Sequence, residues 1–227
     1  MAPPERASFR KMLCCFLVLA LASSVYSQSA SDAALRAVRS SDRADRTANG
    51  GLAKMTAAEH MRRAGIYLAN RAFAPAREHW QAVLDNYPND PNVPAALYGM
   101  ARSYYVERRY EDARQTYEKL AHNYPQTKEG REASNFAASS LLRMGRGAEA
   151  AARYAQYLEK YPNGERIDTA HLNIIDGYRE SGRPQDAIIW INRTRERFAG
   201  NVVETNAIFA RLRLDIALAD YPRHPNG

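Results

Sequence analysis

The chain has 227 residues, 45% of them hydrophobic and 25% charged, with a formal net charge of +7 and 2 cysteines. Both cysteines, Cys14 and Cys15, lie in an N-terminal apolar run, so removal of that run leaves no thiol and excludes disulfides, thiolate nucleophiles and cysteine metal sites. The positive charge is spread thinly, with no long block of Lys or Arg, which excludes a dedicated nucleic-acid binder and is read as solubility.

In chain order, Arg6, Arg10 and Lys11 precede an apolar run from Met12 to Ala22, followed by small and polar residues. That is the layout of a secretory signal peptide over 1–27, with cleavage expected after Ser27. The run is well short of the roughly 20 residues a spanning helix needs. The expectation is export across the inner membrane to the periplasm or cell envelope, with no transmembrane span after signal removal; an uncleaved N-terminal anchor is the alternative. The cysteines sit near the start of the run and not at its end, so no lipid anchor is expected.

Residues 28–54 are rich in Ser, Ala, Arg and Asp, hold no aromatic side chain and close on Asn49, Gly50 and Gly51. This composition predicts a flexible leader, with at most a frayed helix from Asp32 to Arg39. Order is expected from Thr56, which with Glu59 fits a capping box.

Residues 55–218 are a repeat. Tyr87-Pro88, Tyr124-Pro125, Tyr161-Pro162 and Phe198-Ala199 recur at one fixed interval of 37 residues. In the same phase run four further columns: Ala76, Ala113, Ala150, Ala187; Trp80, Tyr117, Tyr154, Ile191; Tyr67, Tyr104, Leu141, Tyr178; and Ala64, Ala101, Ala138, Ile175. Self-similarity at this period means stacked supersecondary units. Small residues allow two antiparallel helices to approach closely, and the large ones beside them fill the groove. Turns inside the hairpins fall at Arg71 to Pro75, Arg108 to Asp112, Gly145 to Glu149 and Gly182 to Asp186, while the Pro after each terminal aromatic stops the second helix. Residues 204–218 read as one further, largely aliphatic helix with no second half, an edge suited to a cap, to self-association, or to continuation of a longer stack. Residues 219–227 read as a C-terminal tail.

These columns resemble the tetratricopeptide repeat family over about residues 56–198. The resemblance implies an all-α fold, a right-handed superhelix of about four antiparallel hairpins plus one terminal helix. Two features depart from the family: the period exceeds its usual 34, and its first-helix tryptophan is replaced by His60, Leu97, Ser134 and His171. Longer, Tyr-Pro-ended repeats look like those of bacterial envelope proteins, including outer-membrane assembly lipoproteins and Tol-Pal-associated coordinators. A narrower likeness, from Asp176 through Gly182 and Phe198 to Leu214, is to the helical, non-catalytic N-terminal region of soluble lytic transglycosylases.

No phosphate-binding glycine loop, nucleophile elbow or His-Glu-x-x-His sequence occurs, and the histidines are not paired at zinc-site spacing. Glu180-Ser181 matches two residues of a lytic transglycosylase site but falls where a helix enters the Gly182 turn. The expectation is therefore no enzyme, no cofactor and no metal. The family's groove positions, carried across, are Tyr98, Arg102, Tyr105, Asn135, Ser139, Asn173, Asp176 and Arg179, on the inner faces of first helices. Tyr98 and Tyr105 read equally well as packing residues. The functional expectation is an exported scaffold in envelope assembly or maintenance that binds a protein or peptide, in a peptidoglycan-associated setting. The alternative is the superhelical part of a peptidoglycan lytic transglycosylase without its catalytic domain.

Overall fold

The structure, a computed structural model, describes residues 31–220; the expected signal peptide over 1–27 lies outside them. All regular structure among the described residues is α-helical. A helix over 31–44, here α1, is followed by α2 (Ala57–Ala69), α3 (Phe73–Asn86), α4 (Val93–Val106), α5 (Tyr110–Asn123), α6 (Lys128–Arg143), α7 (Gly147–Lys160), α8 (Ile167–Glu180), α9 (Pro184–Arg197) and α10 (Val202–Asp220). None is long and apolar enough to cross a membrane. The chain divides into two compact units, before and after the Asp90–Pro91 bond.

Each hairpin turn is closed in the same way. Arg71, Arg108, Gly145 and Gly182, one repeat apart, all take a left-handed backbone conformation, with φ of 57°, 62°, 75° and 67°. The next residue's N–H then reaches back to a carbonyl of the finished helix: Ala72 to Tyr67 (2.9 Å), Arg109 to Tyr104 (2.9 Å), Arg146 to Leu141 (3.0 Å) and Arg183 to Tyr178 (2.9 Å). This closure satisfies carbonyls that the helix end leaves open. The second helices stop where expected. Tyr87, Tyr124, Tyr161 and Phe198 are their C-terminal cap residues.

In the unit up to Asp90, α2 packs on α3 through Ala64 and Ala76, both fully buried. Thr56 caps α2 by accepting from the Glu59 N–H at 3.2 Å. The reciprocal half of the expected box is replaced: the Glu59 carboxylate instead accepts from Arg62 and Arg63, each at 2.7 Å. The flexible leader expected over 28–54 is corrected for 31–44. That segment is helical and joins the hairpin through Asp42, a buried acid whose partners lie far along the chain.

In the unit from Pro91, α4 with α5, α6 with α7 and α8 with α9 form hairpins, and successive first helices α4, α6, α8 and α10 pack side by side. The core between them is apolar: Leu141, Ala150, Tyr154, Ile174 and Ile191 are almost wholly buried, each large aliphatic among them worth roughly 1.5–3 kcal/mol. The helices α7 and α8 approach closely at Gly147 and Gly177, where a Cβ on either would come within 2.5–2.6 Å of the other's carbonyl oxygen. The terminal helix runs slightly beyond the expected 204–218, taking Ala219 and Asp220 out of the tail.

Candidate functional site

The expected groove lies within the unit from Pro91, on α4, α6 and α8. Thr127 starts α6 by accepting from the Gly130 N–H at 3.0 Å, and Gly130 has no Cβ because the Tyr124 carbonyl occupies that space. This tight entry fixes α6 between its neighbours.

Tyr98, Arg102 and Tyr105 occupy one flank of α4. The Tyr98 hydroxyl donates to Glu132 at 3.0 Å, and its ring meets Tyr117 and Phe136 edge-on at 5.8 and 5.9 Å. Arg102 is exposed and has no ion-pair partner among the described residues. Tyr105 shares a hydrogen bond of 2.9 Å with Ser139 and accepts one of 3.2 Å from Arg143 Nε. Both tyrosines therefore pack and bond at once.

Beyond Ser139 the polar chain continues. Asn173 Nδ2 donates to the Tyr154 hydroxyl at 2.8 Å, and Tyr154 stands beside Ser139. A row of polar groups from Arg143 through Tyr105 and Ser139 to Tyr154 and Asn173, a ladder whose hydrogen bonds are interrupted between Ser139 and Tyr154, thus spans α4, α6, α7 and α8. Burial pushes Tyr154 up to about 12 against the opposing pull of Ser139 and Asn173, and burial followed by the Glu132 bond pushes Tyr98 up to about 12. These hydroxyls stay protonated near neutral pH, which makes them donors and acceptors rather than acid-base groups.

The remaining positions are less available. Asn135 is 97% buried, being 3% exposed, and its Nδ2 has no partner. Asp176 accepts from Arg179 Nη2 at 2.9 Å, while Arg179 Nε also lacks a partner. The sequence reading missed Phe136, which stacks on Tyr117 at 5.4 Å, touches Tyr98 and Tyr105, and carries the Arg166 guanidinium 4.9 Å above its ring. It stands in the column of Gly99 and Asn173, which share no chemistry with it.

On the other side of α6, a cleft of about 380 Å³ opens between α5 and α7, with Ser134 and Ala137 at its floor and Glu118, Arg153 and Lys160 among its walls. Ser134 is the small member of a column otherwise filled by His60, Leu97 and His171, all buried. His171 fills its place by bonding Thr194 at 3.1 Å, and burial, then the Arg197 and Arg193 charges, lowers it to about 4. Ser181 caps its own helix by donating to the Gly177 carbonyl at 2.7 Å, so Glu180-Ser181 stands at a helix end as expected. Among the described residues, no group of three or more His, Cys, Asp or Glu could hold a metal.

With this geometry in hand, the comparisons with known proteins bear on the fold. No curated protein is significantly similar to the chain. Among solved structures it is similar to MamA AMB-1, at 19% identity and a TM-score of 0.54 over 80% of this chain and 94% of that one. MamA MSR-1 is similar at 16% identity and a TM-score of 0.51 over 83% and 97%. The tetratricopeptide repeat family model matches residues 60–127 and 137–202, more than half of the chain. The repeat columns, the common turn closure and this match together establish that the chain belongs to the tetratricopeptide repeat family.

Proposed function

We propose that this chain is a protein-interaction scaffold without catalysis of its own, which holds an extended segment of a partner protein along α4, α6 and α8. The observation that carries the reading is the ladder from Arg143 to Asn173. Its half-buried members Tyr105, Ser139 and Asn173 are already oriented, Asn173 by the buried Tyr154, so a bound segment meets groups that need little further ordering. Beside it stand Phe136 with Arg166, and the exposed Arg102. Aromatic residues and arginine are the types that most often dominate binding energy.

The proposal extends to an exported protein of the bacterial envelope, serving assembly or maintenance near peptidoglycan. Support for export is the basic residues Arg6, Arg10 and Lys11 ahead of the Met12 to Ala22 run. A self-association reading for α10 rests on Ile208, Phe209, Leu212 and Ile216, exposed along one side of that helix.

Capture of partners from envelope extract tests the groove. Arg102→Ala removes an exposed charge, and Tyr105→Phe removes a hydroxyl while keeping the ring. A central residue of this kind contributes about 2 kcal/mol, or ~30-fold in affinity. Recovery of a specific partner is expected to fall accordingly with either variant; equal recovery of every partner by all three proteins rejects the groove.

A further inference from the structure

In residues 31–90 three helices meet on one carboxylate. Asp42 of α1 is 6% exposed. Its Oδ2 accepts from the Tyr67 hydroxyl at 2.6 Å and lies 3.1 Å from His79 Nε2, while Arg63 binds Oδ1. His79 Nδ1 in turn lies 2.9 Å from His60 Nδ1, with both rings buried.

Proton counting shows what this chain can hold. Each of the two histidine contacts needs one proton: one on His79 Nε2 toward Asp42, and one between the facing Nδ1 atoms. Two neutral rings meet the requirement if His79 carries Nε2–H and His60 carries Nδ1–H. One added proton is also accommodated, because His79 as an imidazolium donates on both sides once His60 moves its own proton to Nε2. A second added proton has no place, since it sets two N–H groups head to head and two cations side by side. The rings must then part, and they hold α2 against α3.

We propose that His60, His79 and Asp42 make residues 31–90 an acid-opened module, closed near neutral pH and loosened when the second histidine proton is taken up. Little apolar burial opposes opening at α1, where Val38 is the one buried apolar residue among those described. The surrounding charged and titratable groups are Arg39 and Asp42 on α1, Glu59, Arg63 and Tyr67 on α2, and Glu78 on α3. Burial, then His79 and Arg63, lowers the His60 pKa; burial lowers that of His79 against the pull of Asp42. A histidine lowered in the closed form binds fewer protons there than when open, so stability is full above about 6.5 and is lost as pH falls below it. Burial raises Asp42, but its bonds from Tyr67, His79 and Arg63 prevail and hold it below its ordinary value. Its contribution therefore persists until pH falls below the ordinary carboxylate range, near 3.9, and the window between belongs to the histidines.

Hydrogen exchange of the full-length chain, corrected for the intrinsic pH dependence of exchange, reads the opening over 57–86. With at least one proton fewer in the closed form, protection is expected to fall at least about tenfold per pH unit below ~6.5, at least roughly thirtyfold by pH 5. His60→Gln is expected to flatten the response to the part carried by His79 alone, because an amide can donate to or accept from His79 Nδ1. His171→Gln, outside this unit, is expected to keep it. Protection in the wild type that is unchanged between pH 7.5 and 5, or an acid response of undiminished slope in His60→Gln, overturns the proposal. If His60→Gln does not fold, His79→Gln replaces it, with the same two outcomes deciding.

Discussion

The hairpin of residues 31–90 and the hairpins of 91–220 share a repeat frame but not a core. Arg63 stands in the column of Met100, Ala137 and Ile174, and His79 in that of Thr116, Arg153 and Trp190. Where the later unit buries Ile174 completely, the earlier one places a guanidinium against Asp42. The frame thus sets the spacing of helices and the closure of turns, and leaves the chemistry between them open. Residues 31–90 use that latitude to bind an added helix through a carboxylate, which needs Arg63, Tyr67 and His79 together.

The contrast can be broken most sharply at Asp42. Asp42→Ala leaves Arg63, Tyr67 and His79 without their shared acceptor, and removing one partner from a buried ionic network costs about 3–5 kcal/mol. Denaturant titration followed by Trp80 fluorescence in a Trp190→Phe background measures the loss. A change below about 1 kcal/mol would mean that the polar centre matters no more than an ordinary core contact. A smaller, graded response is expected in the apolar core, where Ile174→Val should cost about 0.5–1.5 kcal/mol in the same titration read by Trp190 with Trp80→Phe. The smallest effect should be common to both units. Arg71→Gly and Arg108→Gly each relieve a left-handed backbone worth about 1–2 kcal/mol but lose chain stiffness worth roughly 0.5–1 kcal/mol, for a net gain near 0.5 kcal/mol. Unequal gains would show that the turns differ as well as the cores.

Much of this could be read from residue spacing. The columns headed by Ala64, Ala76 and Trp80 located every hairpin, because burial of helical faces repeats with the chain. The helix α1 was legible only as a frayed helix from Asp32 to Arg39, and its docking through Asp42 was not. It offers Leu35 and Val38 but no aromatic and no repeat partner, and Asp42 looks like any surface acid until folding brings up residues 25 and 37 positions away. The groove was legible in part. Tyr105, Ser139 and Asn173 do come together, but their link runs through Tyr154, a residue chosen by its column as core filler. Phe136 escaped because a column of Gly99, Phe136 and Asn173 has no common chemistry for a pattern to detect. Asn135 was placed on the groove by its position, and only packing shows how little of it reaches solvent.

The ladder in the unit from Pro91 also bears on how the molecule is made. Its separations in sequence are short, 34 residues from Tyr105 to Ser139, 38 from Tyr105 to Arg143 and 19 from Tyr154 to Asn173. Short chain loops close with little entropic penalty, and topologies rich in such contacts assemble fast. A chain leaving the ribosome would therefore have each partner in hand about one repeat after the first member emerges, and the binding face could take shape from its N-terminal end while synthesis is still under way.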